Sequence, residues 1–356
     1  MRARTKISRL DTFTFNHYRW VHASRMMLAF LIMLAITQWT NIPESTWPLI
    51  TLVVVMGPIS YWGNVLPRAI QRVLGTCLGA ASGIIALYFE TFSIPLFMIW
   101  CACVMFACGY LALGKRPYAG LLIGITLSVV LGAPKGDFAT ALWRSGDVIL
   151  GSAFALLCCS VFPQKAFTHW RLKVSGILLE LGKMHHTMMS LNMLDRPNTQ
   201  EKQKALLDQM IKARGLISAS AAETRLNTSL LGSIQRGLGN TLHTIDRLSV
   251  TYWNDRNSHF TLLNSQALKE SHQAIEDTFA QLATMLQTGK SDGSEWQFDN
   301  LNEVIDELKE LASQHDVQSE ASLYGYVWLN LQLLEELSLL RRTISLSLNL
   351  ACKKKR

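Results

Sequence analysis

Charge is in short supply. Only 17% of the 356 residues are Asp, Glu, Lys or Arg, against about 25% in an ordinary soluble domain. Acidic groups are scarcest at the front: residues 1–163 hold 5 of them beside 12 basic ones, a balance of +7. Residues 164–356 hold 21 acidic and 22 basic residues, a balance of +1. The basic excess therefore surrounds apolar stretches and does not mark a nucleic-acid-binding face. Cysteine pairs of the C-x-x-C kind are missing too. Six of the seven cysteines (Cys77, Cys101, Cys103, Cys108, Cys158 and Cys159) lie within apolar stretches, which excludes a zinc site or disulfide framework and leaves them as small packing residues.

Enzyme signatures are absent as well. There is no Walker loop and no G-x-G-x-x-G, and the one G-x-S-x-G spacing, Gly289–Gly293, falls in a polar linker, so nothing calls for a catalytic residue, a cofactor or an enzyme. His169, His185 and His186 have no Cys or carboxylate at metal-ligand spacing and read as surface residues. Glu335 and Glu336 sit in a leucine-rich helix and read as its solvated edge. A removable signal peptide is not expected: the first apolar run begins near Met26, is long enough to span, and no small-x-small cleavage site follows.

What is present in quantity is long apolar helix. From Pro67 to Glu90 the only charges are Arg68, Arg72 and the terminal Glu90, and roughly 20 residues cross a bilayer core as a helix. Gly75, Gly79 and Gly83 recur every fourth residue, so one face lets another helix approach closely. Further spans are expected near 26–39, 47–61, 95–113, 118–131 and 141–162, six in all. Gly120 and Gly124 begin a second ladder of small residues in the fifth. Basic residues cluster in the N-terminal segment, at Arg68 and Arg72, at Lys115-Arg116, and after Pro163. The turns at 40–46 and 90–94 have neither Lys nor Arg, and 133–140 has only Lys135. The positive-inside rule then places both termini in the cytoplasm.

Residues 1–25 form a basic segment with Phe13, Phe15, Tyr18 and Trp20 interleaved, suited to a membrane surface. After a six-helix membrane domain at 26–163, residues 164–356 show helical periodicity with charged outer faces and no β-rich run. Helices are expected near 164–191, 199–221, 223–255, 259–287, 297–314 and 322–350. The fold class is all-α: a transmembrane helical domain followed by a cytoplasmic helical bundle.

Ionisable residues within spans are functional candidates by default, and Arg72, Arg144 and Asp147 qualify. The arginines suit bidentate capture of a carboxylate. Asp147, three residues after Arg144 on one helix face, suits proton exchange that couples transport to a gradient. The alternative is structural: both arginines snorkel to the interfaces and Asp147 neutralises Arg144.

W-P-L-I-T at Trp47, M-G-P-I-S at Met56, R-x-x-G-T-x-x-G at Arg72–Gly79 and R-S-G-D-V-I-L-G at Arg144–Gly151 resemble the fusaric acid resistance (FUSC) family. The resemblance implies a bacterial inner-membrane protein from a group that includes efflux components for aromatic carboxylic acids. It places Arg72, Gly75, Thr76 and Gly79 at the heart of the membrane domain and Arg144 on the last span. A more distant similarity is to the plant aluminium-activated malate transporters, which also join six spans to a helical cytoplasmic domain. Larger family members carry two membrane-plus-cytoplasmic halves and this chain has one, so a homodimer is expected. The resemblance also admits an accessory periplasmic protein. Two functions follow: a transporter of organic anions, with the lipid bilayer as its setting, or a membrane-anchored scaffold whose cytoplasmic domain binds a partner protein.

Overall fold

A computed structural model describes residues 7–40, 46–57, 61–114, 117–132, 138–161, 164–189, 195–254, 266–290 and 317–353. Every named element among them is an α-helix. The chain divides into two compact units, one from Asn16 to Lys165, the other from the described residues up to Phe15 together with those from Ala166 onward.

The first unit contains α2 (Tyr18–Thr40), α3 (Thr46–Met56), α4 (Trp62–Phe92), α5 (Ile94–Ala112), α6 (Pro117–Leu131) and α7 (Phe138–Val161). Three stretches are long and apolar enough to cross a membrane, Tyr18–Thr40, Val65–Phe92 and Ile94–Ala112. Thr46–Met56, Pro117–Leu131 and Gly146–Ser160 are shorter apolar helices. Proline opens α5 in its first turn, where the missing N–H costs nothing. Pro67 lies inside α4, which begins at Trp62. Extended backbone at Ser93 ends α4, and the Ser93 N–H closes the last turn on the Phe89 carbonyl at 2.9 Å.

α4 packs along α6 and α7, α5 against α6 and α4, and α3 against α7 and α2. Met33, Leu52, Val55, Met56, Val65, Ala69, Ala155 and Cys159 form one buried core among α2, α3, α4 and α7. The outer surface is apolar as well: Phe106 is 80% exposed and Tyr110 77%. Such a surface is costly in water and at home in lipid. The boundary of the first span needs correction. α2 begins at Tyr18, not near Met26, and Arg25, Ala29, Met33 and Thr37 form a single buried row along it.

The second unit contains α1 (Arg9–Asn16), α8 (Ala166–Met188), α9 (Gln200–Arg214), α10 (Ile217–Thr224), α11 (Thr228–Asn254), α12 (Gln266–Thr288) and α13 (Val317–Lys353). A reciprocal cap starts α1: the Ser8 N–H donates to Asp11 Oδ2 at 3.0 Å and Ser8 Oγ accepts from the Leu10 N–H at 3.2 Å. α1 packs on α8, with the Phe15 ring edge-on to His169 at 5.3 Å. α8 packs against α12, and α11 runs along α13. The helix expected over 199–221 is broken at Gly215 and Leu216. The next begins at Thr228, because Arg225 takes a left-handed conformation (φ 57°) and Asn227 Oδ1 accepts the Ser229 N–H at 3.0 Å. The helix expected over 297–314 lies outside the described residues.

Candidate functional site

Arg72 sits one turn before Thr76 on α4, and the backbone that carries it is held by close packing against α6. A Cβ added at Gly75 would stand 2.7 Å from Leu122 Cβ, and one at Gly79 2.6 Å from Thr126 Cβ. At Gly83 it would meet Val130 Cγ1 at 2.6 Å. These separations are shorter than side chains allow, so the two helices approach this closely only because the ladder is glycine. Gly120 does the same for α5 and α6, its Cβ position lying 2.7 Å from the Cys108 carbonyl. At Gly124 the nearest atom would be Met105 Sδ, at 3.5 Å, which is ordinary contact. Gly151 on α7 is a further close approach that the ladders did not single out, 2.7 Å from the Pro48 carbonyl of α3.

The Arg72 side chain is 5% exposed. It faces the Tyr118 hydroxyl, supplied by the first turn of α6. Arg72 Nε is buried and has no hydrogen-bond partner among the described residues. No carboxylate among the described residues acts on Arg72. Elsewhere in the membrane unit other buried polar atoms also lack partners among the described residues: Gln71 Oε1 and Thr76 Oγ1 on α4, Thr51 Oγ1 on α3 and Ser152 Oγ on α7. Unsatisfied buried polar groups are costly in an apolar medium.

The other sequence candidates are placed differently. Asp147 is 3% exposed on α7, within the helices that face α3 and α4. The Arg144 side chain, and with it the Arg144–Asp147 pairing, lies outside the described residues. Sequence reasoning missed Tyr118, assigned only to a span's start, and Arg25, assigned to a surface segment. Arg25 is 8% exposed and lies beside Cys158 and Cys159 of α7. The signal for it was present: Arg25, Ala29, Met33 and Thr37 recur every fourth residue, which on a helix is one face.

The helical unit holds a second polar group. His169 and His185 are buried, not on the surface, at 3% and 0% exposure; only His186 is exposed. Burial, reinforced by Lys173, pushes His169 down to about 4, and burial brings Arg171 down to about 10. The Arg171 Nε–H donates to the Leu286 carbonyl at 2.7 Å and its Nη2 to the Gln287 carbonyl at 3.4 Å, closing the end of α12. The Ile7 N–H reaches the same Gln287 carbonyl at 3.4 Å.

His272 is hydrogen-bonded to the Tyr326 hydroxyl, and its ring lies edge-on to His185 at 5.3 Å. Burial, then His185 and His186, drive His272 down to about 3. Burial by itself would raise Glu276, but His185 and His186 beside it outweigh that and hold it below the usual carboxylate range. Glu336 is not a solvated edge: it is half-buried, and burial raises it while its Oε1 accepts the Thr244 hydroxyl at 3.0 Å. Among the described residues no group of three His, Cys, Asp or Glu is arranged to hold a metal ion.

A model of the fusaric acid resistance protein family matches residues 19–346. This chain belongs to that family. It is also 44% identical over 346 residues to the Inner membrane protein YeeA of Escherichia coli (strain K12), covering 97% of this chain and 98% of the relative. The family match runs through both units, from the first helix of the membrane unit into α13. Arg72 and its glycine neighbours therefore lie within a fusaric acid resistance domain that includes the helical unit.

Proposed function

We propose that this chain is an inner-membrane transporter of organic anions, aromatic carboxylic acids foremost, in which Arg72 takes the carboxylate. The observation that carries this reading is the Arg72 guanidinium: buried, in an apolar unit, with no carboxylate acting on it among the described residues. A cation desolvated without a counter-charge costs several kcal/mol. A carboxylate arriving beside it recovers that cost through a charge-assisted, planar pair of hydrogen bonds that Lys could not reproduce. Tyr118 and Thr76 offer hydroxyl donors for the same guest. Arg144 is the second candidate cation, and Asp147 the group that exchanges a proton with the gradient.

The topology we favour has six spans with both termini cytoplasmic, supported by the alternation of basic turns with turns that hold little or no Lys or Arg. Assembly is as a homodimer, and an accessory periplasmic protein is an admissible partner. Membership of the fusaric acid resistance family and the inner-membrane name of the YeeA relative support the setting. Nothing in the reading requires enzyme chemistry or a cofactor.

The test is flux in proteoliposomes. Purified chain is challenged with aromatic and dicarboxylic acids, with and without a pH gradient, beside Arg72→Gln, Arg72→Lys and Arg144→Gln. Flux lost in Arg72→Gln and not restored by Lys supports the assignment. Full flux in a folded Arg72→Gln protein removes Arg72 from the path. Absence of flux for every acid would favour the scaffold reading, in which deletion of the helical unit, not neutralisation of Arg72, abolishes function.

A further inference from the structure

We propose that α13 pairs with α13 of a second copy, antiparallel, across a two-fold axis near residue 337. The inference rests on the homodimer reading and names its surface. α13 is 37 residues long, about 55 Å of helix. Its buried face, with Leu333, Leu337, Leu340 and Ile344, is spent on the unit's own core. The opposite face carries Trp328, Glu335, Leu339, Arg342, Leu346 and Asn349, all exposed. Their spacing is seven, then alternately four and three, the heptad seam along which two helices wind together. Three of these are large and apolar, with Trp328 59%, Leu339 63% and Leu346 50% exposed. Other apolar side chains of this unit are exposed as well, Ile211 at 68% among them, but these three stand in one row along a single helix and leave unspent apolar surface there.

Charge decides what covers it. Parallel pairing would set Glu335 against Glu335 and Arg342 against Arg342. Antiparallel pairing about residue 337 sets Trp328 opposite the partner's Leu346, and Leu339 opposite the partner's Glu335. It also brings each Glu335 within one turn of the partner's Arg342, twice by symmetry. A face complementary to itself in this way is what an isologous dimer requires. Beside the seam, Leu230, Ser233 and Gly237 of α11 join Leu339, Thr343 and Leu346 around a groove of about 450 Å³.

The full chain is tested in nanodiscs and in native membranes. Trp328→Cys and Leu346→Cys are made as separate single variants and co-expressed, then oxidised. A covalent dimer is expected from the mixture and from neither variant alone, because each residue lies about 27 Å from its own symmetry copy. Self-linking of either variant alone would establish a parallel pair and overturn the proposal. In parallel, Glu335→Arg should weaken the dimer about tenfold, and Glu335→Arg with Arg342→Glu should restore it. A wild-type monomer at membrane concentration would overturn both this interface and the homodimer reading. A wild-type dimer that neither links in the mixture nor responds to the charge reversal would overturn this interface alone.

Discussion

Replacing Gly79 with Ala adds a single methyl group where α4 meets α6, and the structure states what that methyl would meet. Its Cβ would lie 2.6 Å from Thr126 Cβ and 2.7 Å from the Ile123 carbonyl oxygen. The second neighbour is backbone and cannot rotate away. Restoring ordinary contact parts the two helices locally by roughly 0.7 Å, and close-packed interiors resist such a shift. Overpacking of this kind costs about 1–3 kcal/mol. Alanine also favours helix over glycine by about 1 kcal/mol, so the raw change understates the clash.

Gly109 on α5 removes that ambiguity, because a Cβ there meets nothing within 4 Å. Gly109→Ala reports the propensity gain alone, and the difference between the two variants isolates the contact at about 1–3 kcal/mol. Purified chain melted in detergent should show Gly79→Ala unfolding roughly 2–8 °C below Gly109→Ala. Equal melting temperatures, or a higher one for Gly79→Ala, would refute the claim that this glycine ladder sets the α4–α6 distance.

Three further outcomes are expected. Tyr118→Phe removes the hydroxyl that faces Arg72 and should raise the KM for anion flux about threefold to tenfold while leaving the maximal rate near its original value; an unchanged KM removes Tyr118 from the site. His169 and His272 are held neutral in the fold, at about 4 and about 3, whereas in the unfolded chain each protonates near 6.5. The unfolded state therefore binds more protons below 6.5, and stability falls as pH drops from about 6.5 towards 4, by up to about 2.7 kcal/mol per pH unit from the two together. Denaturation of the full chain across that range, repeated with His272→Gln, should show roughly half the slope. Arg171→Met leaves the Leu286 and Gln287 carbonyls without their charged donor, at a cost of about 2–3 kcal/mol. Amide exchange should accelerate at the end of α12 and at Ile7; unchanged protection there would show that the cap is dispensable.

Much of the architecture could be read from residue order alone. Runs of apolar residues located the helices of the first unit to within a few residues, apart from the start of α2, the end of α3, which stops at Met56, and the start of α4 at Trp62. That start was missed because Arg19 and Arg25 look like a surface tail until Arg25 is set in register with Ala29, Met33 and Thr37. In the helical unit, the break at Gly215–Leu216 and the left-handed turn at Arg225 interrupted helices that periodicity ran together. His169, His185 and Glu336 were misplaced for a related reason: polar side chains on a periodic helix look exposed unless the facing helix is known.

Composition and local pattern determine the class of this protein. Scarce charge, apolar length and glycines at every fourth position dictate helices that bury against one another and not against water, whatever their partners. Which partners they find is not a local property. That Gly75, Gly79 and Gly83 close on α6, that Arg72 meets Tyr118, and that Arg171 closes the end of α12 each depend on residues about 40 to more than 100 positions apart in the chain. Only packing brings these residues together, and it also leaves Arg72 buried with no carboxylate acting on it among the described residues.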